Sequence, residues 1–279
     1  MTGPSAMLRS EPGAGSGTEP RTAGLGVVTW NVQHASPIRS RRQVDWLAGR
    51  PEADVVVLTE VGAGPGGDAL AAALDRHGYT TYLPDGGGDY RVLVASRIGR
   101  LDPWPEAGVA YLPHRFAAVA VTLPDRSRLG VVGLYVPSRG PRARRNVTKR
   151  AFQNAVAAAL PTLGAAFGPQ TPVLVTGDLN VVEPAHQPRL PVFGAWEYDF
   201  YRAFTAAGFT DAYRHHDPDG RDHSWRGRSG TGYRIDHLFC TQGHLDRLSS
   251  CRYLHGPRVA ALSDHSALAV ELHPPREPR

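Results

Sequence analysis

Lysine is almost missing from this chain: Lys149 is the only one among 31 basic side chains, the rest being arginines. Alongside plentiful Ala, Gly and Pro, that bias reads as coding habit rather than recognition chemistry. Cysteine is scarce too, with only Cys240 and Cys251, on separate predicted strands. Two cysteines build no disulfide framework, and a pair of reduced, buried thiols is expected. No stretch approaches the roughly 20 apolar residues of a membrane span, so no membrane partner is expected. The N-terminus lacks the apolar core of a secretory signal, which makes the cytoplasm the default location. On that reading the sequon Asn146-Val-Thr148 is a chance match.

What is present suits one sizeable globular domain. At 279 residues, 41% hydrophobic and 20% charged, the chain can bury a substantial core. A net charge of +5 suits a polyanionic partner without requiring one. Residues 1–24 are rich in Gly, Pro, Ser and Thr and read as a disordered tail; residues 274–279 read as a loose one. Residues 25–273 contain no linker and no internal repeat. No obligate protein partner is implied, and a monomer is expected.

The domain is organised around Thr171-Pro-Val-Leu-Val-Thr-Gly-Asp-Leu-Asn180. Val173, Leu174 and Val175 make the continuous apolar run of a strand buried on both faces. Gly177 frees the backbone to turn or approach something closely. Asp178 and Asn180 project to one side if the extended conformation persists. A carboxylate and an amide at the mouth of a buried strand need partners. Two other stretches resemble this one: Ala53-Asp-Val-Val-Val-Leu-Thr-Glu60, and Leu262-Ser-Asp-His265 ahead of the apolar run Ala267–Leu272. Three strands with acidic or imidazole groups at their ends suggest one shared site at a sheet edge.

The remaining elements follow from pattern. Gly26–Val32 is the first strand, where Asn31 is either a turn residue or a functional one. A short helix over Arg41–Gly49 follows. Gly62-Ala-Gly-Pro-Gly-Gly67, between a strand and a helix over Asp68–His77, reads either as a flexible loop or as the dinucleotide-binding signature of an oxidoreductase. Thr80–Leu83, Val92–Ser96, Ala117–Leu123 and Arg128–Leu134 are consecutive strands, hence antiparallel. Arg139, Arg142, Arg144, Arg145, Lys149 and Arg150 then crowd the start of a helix that continues through Phe152, Val156 and Leu160. Cations there oppose the helix dipole, which a phosphate backbone would offset; the alternative is a solvated first turn. A Pro-rich loop over Glu183–Ala195, a helix over Tyr198–Ala207, a Gly-rich loop into a strand carrying Asp236, and a short strand over Cys251–His255 complete the pattern.

Together Thr29-Trp-Asn31, Leu58-Thr-Glu60, Gly177-Asp-Leu-Asn180, Arg234-Ile-Asp236 and Ser263-Asp-His265 resemble, in order, the motifs of the endonuclease/exonuclease/phosphatase superfamily. The resemblance implies an α/β fold, a four-layer α/β/β/α sandwich of two mostly antiparallel sheets. It also implies phosphodiester hydrolysis with Mg²⁺ or Mn²⁺, oxygen-seeking ions that suit Glu60 as principal ligand with Asn31 and Asp264 beside it. By the same resemblance Asp178 deprotonates the attacking water, Asn180 holds that water or the phosphate, and His265 donates to a phosphoryl oxygen with its tautomer fixed by Asp236. Ser263, Asp264 and His265 are too close in sequence for a hydrolase triad, whose members converge from separate segments. Tyr135, in Leu134-Tyr-Val-Pro137, stands where abasic-site endonucleases of the exonuclease III type carry tyrosine. In that group the segments matching Ser224-Trp-Arg and Gly232-Tyr-Arg-Ile-Asp236 wall a pocket for a baseless sugar, a part that falls to Trp225, Tyr233 and Ile235 unless they are simple core. Thr59 and the Val61-Gly62 pair after Glu60 depart from the Gln and Thr-Lys usual in that group. The expected substrate is damaged duplex DNA, with Arg139, Arg144 and Arg145 on its backbone. A Mg²⁺-dependent phosphatase of a small phosphoester is the alternative on the same fold.

Overall fold

The computed structural model describes residues 24–274 apart from 87, 105–106, 140–142 and 228–229, and the backbone alone for 143–145. The two tails therefore lie, but for Gly24 and Pro274, outside the described residues, as does Arg142.

Two six-stranded sheets face each other. The first contains β1 (Leu25–Asn31), β2 (Val55–Val61), β3 (Thr80–Tyr82), β4 (Arg91–Ser96), β13 (Leu248–Leu254) and β14 (Ala267–Leu272), in the order β13-β14-β1-β2-β4-β3. The second contains β5 (Arg100–Pro103), β6 (Phe116–Thr122), β7 (Arg128–Tyr135), β8 (Val173–Asp178), β9 (Phe209–Asp211) and β12 (Asp236–Thr241), in the order β5-β6-β7-β8-β12-β9. Only β1/β2 and β7/β8 pair in parallel; the other pairs are antiparallel.

Strand alternation divides the core into three layers. Val27, Val55, Val57, Leu174, Leu238 and Cys240 meet between the sheets. Their neighbours Val28, Val56 and Leu58 pack outward with Val44 and Leu47 of α1 (Pro37–Ala48) and Leu70 and Leu74 of α2 (Pro65–Arg76). Val173 and Val175 pack the other way, with Phe152, Val156 and Leu160 of α3 (Ala143–Ala166) and Phe200 and Phe204 of α4 (Ala195–Ala206). Helices on both outer faces of paired sheets make the expected four-layer α/β/β/α sandwich. A Cβ at Gly133 would sit 2.6 Å from Val92 and 2.7 Å from Val57, so glycine there permits the close approach of the sheets. Cys240 and Cys251 are free and buried, as expected, and burial raises both thiols. Among the described residues no helix is long and apolar enough to cross a membrane.

Several boundaries differ for identifiable reasons. α1 begins four residues before the expected Arg41, because Ser36 caps it and Pro37 fits the first turn. α2 likewise begins at Pro65, so Gly66 and Gly67 belong to its first turn rather than to a flexible loop. A Cβ on either would fall about 2 Å from the carbonyl of Ala35 or Gly62; these glycines serve packing. The short β5, β9 and α5 (Ala212–His216) escape periodicity analysis because three to five residues show no period. The supposed Gly-rich loop contains a small hairpin of β10 (Trp225–Arg226) and β11 (Gly232–Tyr233).

Candidate active site

Register alone gathers three of the site residues. Tyr135 lies opposite Asp178 across the parallel β7/β8 pair, and Asp236 opposite Asp178 across β8/β12. In the first sheet β1 ends at Asn31, beside Thr59 of β2, with Glu60 next. The loop before β14 brings Asp264 and His265. The two sheets then meet through these polar groups. The Asn31 amide donates to Asp178 Oδ2 at 2.9 Å, the Tyr135 hydroxyl to Glu60 Oε1 at 2.6 Å, and His265 Nδ1 to Asp236 Oδ2 at 2.7 Å.

Local backbone makes this possible. Gly177 has φ +138°, and a Cβ there would collide with the Leu134 carbonyl, so the expected close approach is real. The expected extended path to Asn180 is not. The strand stops at Asp178, Asn180 adopts φ 50°, and its backbone N–H donates to Asp178 Oδ1 at 2.8 Å. Its side-chain amide still reaches Asp178 Oδ2 at 3.2 Å, so the two groups meet by a turn rather than by alternation. Asn31 is not an exposed turn residue: it is fully buried at a strand end, with its amide on Asp178. Glu60 sits at φ 57° where the β2/β4 register shifts, a bulge that aims its carboxylate out of the sheet.

The electrostatics follow from burial. Asp178 is raised well above the usual carboxylate range by desolvation, then by Asp236 and Glu60. Burial would lower His265, but the Asp236 carboxylate, then Asp178 and Asp264, push it up to about 10, so the ring is cationic at neutral pH. Burial, then Glu60 and Asp178, raise Tyr135 so far that its hydroxyl stays protonated as a donor. Ser263 donates to the Asn31 carbonyl at 2.7 Å and accepts from the His265 N–H at 3.1 Å, a brace rather than a nucleophile.

A cavity of about 370 Å³ opens over these groups, lined by Glu60, Asp178, Asn180, Asp264 and His265 on its polar side. Trp225, Tyr233, Ile235 and Phe193 form its apolar side, with Trp225 and Tyr233 edge-to-face at 5.2 Å. The Trp225 indole donates to Asp264 Oδ2 at 2.9 Å, tying the apolar wall to the acidic floor. Phe193 escaped the sequence reading because its loop has no period. Ser224, noted in the sequence only as part of its motif, has a hydroxyl that accepts from the Ile235 and Asp236 N–H groups at 3.1 Å each and seats that segment. Arg115, stacked 4.7 Å over the Tyr135 ring, had no sequence signal at all.

The basic run is corrected in part. Lys149 does not face solvent or a ligand: it is fully buried, held by Glu197 Oε1 and by the Asn180 carbonyl at 2.7 Å. Arg139 lines the cavity but pairs with the same glutamate at 3.2 Å, ahead of α3 rather than in its first turn. The side chains of Arg144 and Arg145 lie outside the described residues. Breaking a buried pair from one side strands the other charge. Lys149→Met should therefore lose about 3–5 kcal/mol in urea denaturation, with part recovered when Glu197→Gln is added. A single variant as stable as the parent would show the pair to be dispensable.

The donor set fits a divalent ion. Glu60, Asp178 and Asp264 offer hard oxygens at the floor of one cavity. Asp264 Oδ1 is buried with no hydrogen-bond partner, an acceptor that a cation would satisfy.

Comparison with known proteins agrees with this geometry. An exodeoxyribonuclease of Streptococcus pneumoniae is 28% identical over 157 residues, covering 51% of this chain and 54% of that protein, so the match spans about half of either. An AP endonuclease from Archaeoglobus fulgidus superposes with a TM-score of 0.72 at 21% identity, over 89% of this chain and 99% of that one. A 3′-5′ exonuclease from Neisseria meningitidis gives 0.70 at 22%, over 89% and 99%. Residues 28–265 match the Endonuclease/Exonuclease/phosphatase family model, a span that includes Asn31 near one end and His265 at the other; the chain belongs to that family.

Proposed function

We propose that the chain is a Mg²⁺- or Mn²⁺-dependent phosphodiesterase of DNA repair, cutting at abasic sites and trimming damaged 3′ ends, as a monomer in the cytoplasm. One observation carries the reading: the cavity joins a hydrolytic floor to an apolar wall of Phe193, Trp225, Tyr233 and Ile235. A phosphate alone would gain nothing from that wall, whereas a sugar extruded without its base would be desolvated against it. Similarity to an exodeoxyribonuclease and to an AP endonuclease supports the same class.

In this mechanism Glu60, with Asn31 and Asp264, would hold the metal, whose charge would neutralise the phosphoryl oxygens. Tyr135 fixes the Glu60 carboxylate by donating to it. Asp178 takes the proton from water, oriented by the Asn31 and Asn180 amides that donate to it. His265, cationic and braced by Asp236, donates to a phosphoryl oxygen as negative charge grows there. Metal ions also offset the mutual repulsion that raises Asp178.

The test is hydrolysis of abasic duplex, intact duplex and a small phosphomonoester, with Mg²⁺ and with chelator. Abasic cleavage should dominate, vanish in chelator and return with excess Mg²⁺. Trp225→Ala should reduce abasic cleavage by roughly 10–100-fold, the loss of one stacking wall worth about 1–3 kcal/mol, while sparing the phosphomonoester. Faster turnover of the small ester, unmoved by Trp225→Ala, would replace this reading by the phosphatase one.

A further inference from the structure

A second cavity, of about 670 Å³, adjoins the first and is lined by Gln33, Arg226, Arg258, Ser263 and Asp264 among others. Asp264 lines both. Successive residues of a strand point to opposite sides, so β10 sends Trp225 into the first cavity and Arg226 into the second. Arg258 arrives on α6 (Gly256–Val259), folded back onto Ser263-Asp-His265 by a left-handed Ala261 at φ 51° and a bond from the Leu262 N–H to the Pro257 carbonyl at 2.9 Å.

Two guanidinium groups thus share one opening with little to neutralise them. Arg226 makes no ion pair among the described residues; the Arg258 Nε is buried with no hydrogen-bond partner, while its Nη2 lies 3.3 Å from His255 Nδ1. Asp222, the acid facing Arg258, is engaged by His255 at 3.0 Å and by the Tyr213 hydroxyl at 3.2 Å. The remaining acid, Asp264, already accepts from Trp225. Burial and then the nearby Arg226 lower Arg258; His223 is lowered by burial, then by both arginines. Two guanidinium groups lining one cavity with a single carboxylate, Asp264, leave an excess of positive charge that suits an anion. Guanidinium geometry matches phosphate in particular.

We infer that this second cavity is a phosphate subsite, in which Arg226 and Arg258 hold a backbone phosphate of the strand whose scissile linkage lies over Asp178 and His265. The inference rests on the DNA reading above and sharpens it: the substrate is a polynucleotide gripped at two phosphates, not an isolated phosphoester. The two cavities share a wall residue, so one continuous strand can occupy both.

The experiment uses Arg226→Ser, Arg258→Ser and the double variant, each also combined with Asp178→Asn so that binding is read without cleavage. Fluorescence anisotropy with an abasic duplex should show affinity weakened by roughly tenfold per guanidinium, as for a charge-assisted hydrogen bond. The slope of log Kd against log salt should fall by about 1, the release of one phosphate contact. Hydrolysis of bis(4-nitrophenyl) phosphate, which has no second phosphate, should be unchanged, and this also reports that the variants fold. Unaltered affinity and salt slope would overturn the subsite, as would an equal loss on the small diester. Wild-type protein that binds duplex with these arginine effects but cuts none of the DNA substrates would refute the repair reading and leave the subsite standing.

Discussion

Asp178→Asn should lower turnover by on the order of 10²–10⁴-fold, the range for removal of a general base. The variant should fold and should still bind DNA. The carboxylate is surrounded by donors: the Asn31 amide at 2.9 Å, the Asn180 N–H at 2.8 Å and the Asn180 amide at 3.2 Å. An asparagine can serve most of these with its carbonyl oxygen, though its NH₂ must then face one donor. Against that loss stands a gain, because the native carboxylate is destabilised by desolvation and by Asp236 and Glu60. A neutral amide escapes that repulsion, so in metal-free protein the melting temperature should stay close to that of the parent. Single-turnover cleavage with saturating Mg²⁺ is the measurement. Turnover within a few-fold of wild type would remove Asp178 from the base role.

The second large effect is one of pH. Asp236→Asn removes the carboxylate that does most to hold the proton on His265, so the imidazolium should persist only to a lower pH. The sign is set by the raised value: folded His265 keeps its proton up to about 10, whereas an unfolded histidine loses it near 6.5. Its stabilising contribution is therefore complete below about 6.5 and disappears as pH rises through the folded value. Wild-type turnover should hold through mildly alkaline pH, where the donor is charged. In the variant the alkaline limb should move toward neutrality. At high pH the loss should approach the 10²–10³-fold expected for one missing preorganised donor, and it should narrow in mild acid. Stability measured by urea across the same range should show the variant's deficit in full below about 6.5, shrinking as pH rises toward the folded value. Parallel pH profiles for the two proteins would mean that Asp236 does not set the proton on His265.

Much of this site could be read from sequence because its residues sit at strand ends. Apolar runs such as Val55–Leu58 and Val173–Val175 announce buried strands, and a polar group that ends one is conspicuous. Asn31, Glu60 and Asp178 stand out in that way, Asp236 and His265 come at or just before the start of apolar runs, and the roles of all five rest on the family resemblance. What escaped depends on contacts distant in sequence. Nothing local distinguishes Lys149, buried against Glu197 forty-eight positions away, from its arginine neighbours. Phe193 and Arg115 lie in short irregular segments, where no period reveals which way a side chain points. The turn at Asn180 was missed because two-residue spacing suits both an extended strand and a left-handed corner.

The order of strands in the first sheet has a consequence in time. β14, the last strand, lies between β13 and β1, the first, and the loop leading into it carries Asp264 and His265. During synthesis Asn31, Glu60 and Asp178 emerge early and can be assembled, yet the imidazole arrives only when β14 docks against β1. A nascent chain therefore lacks the donor proposed for the phosphoryl oxygen until His265 has been made and β14 has docked.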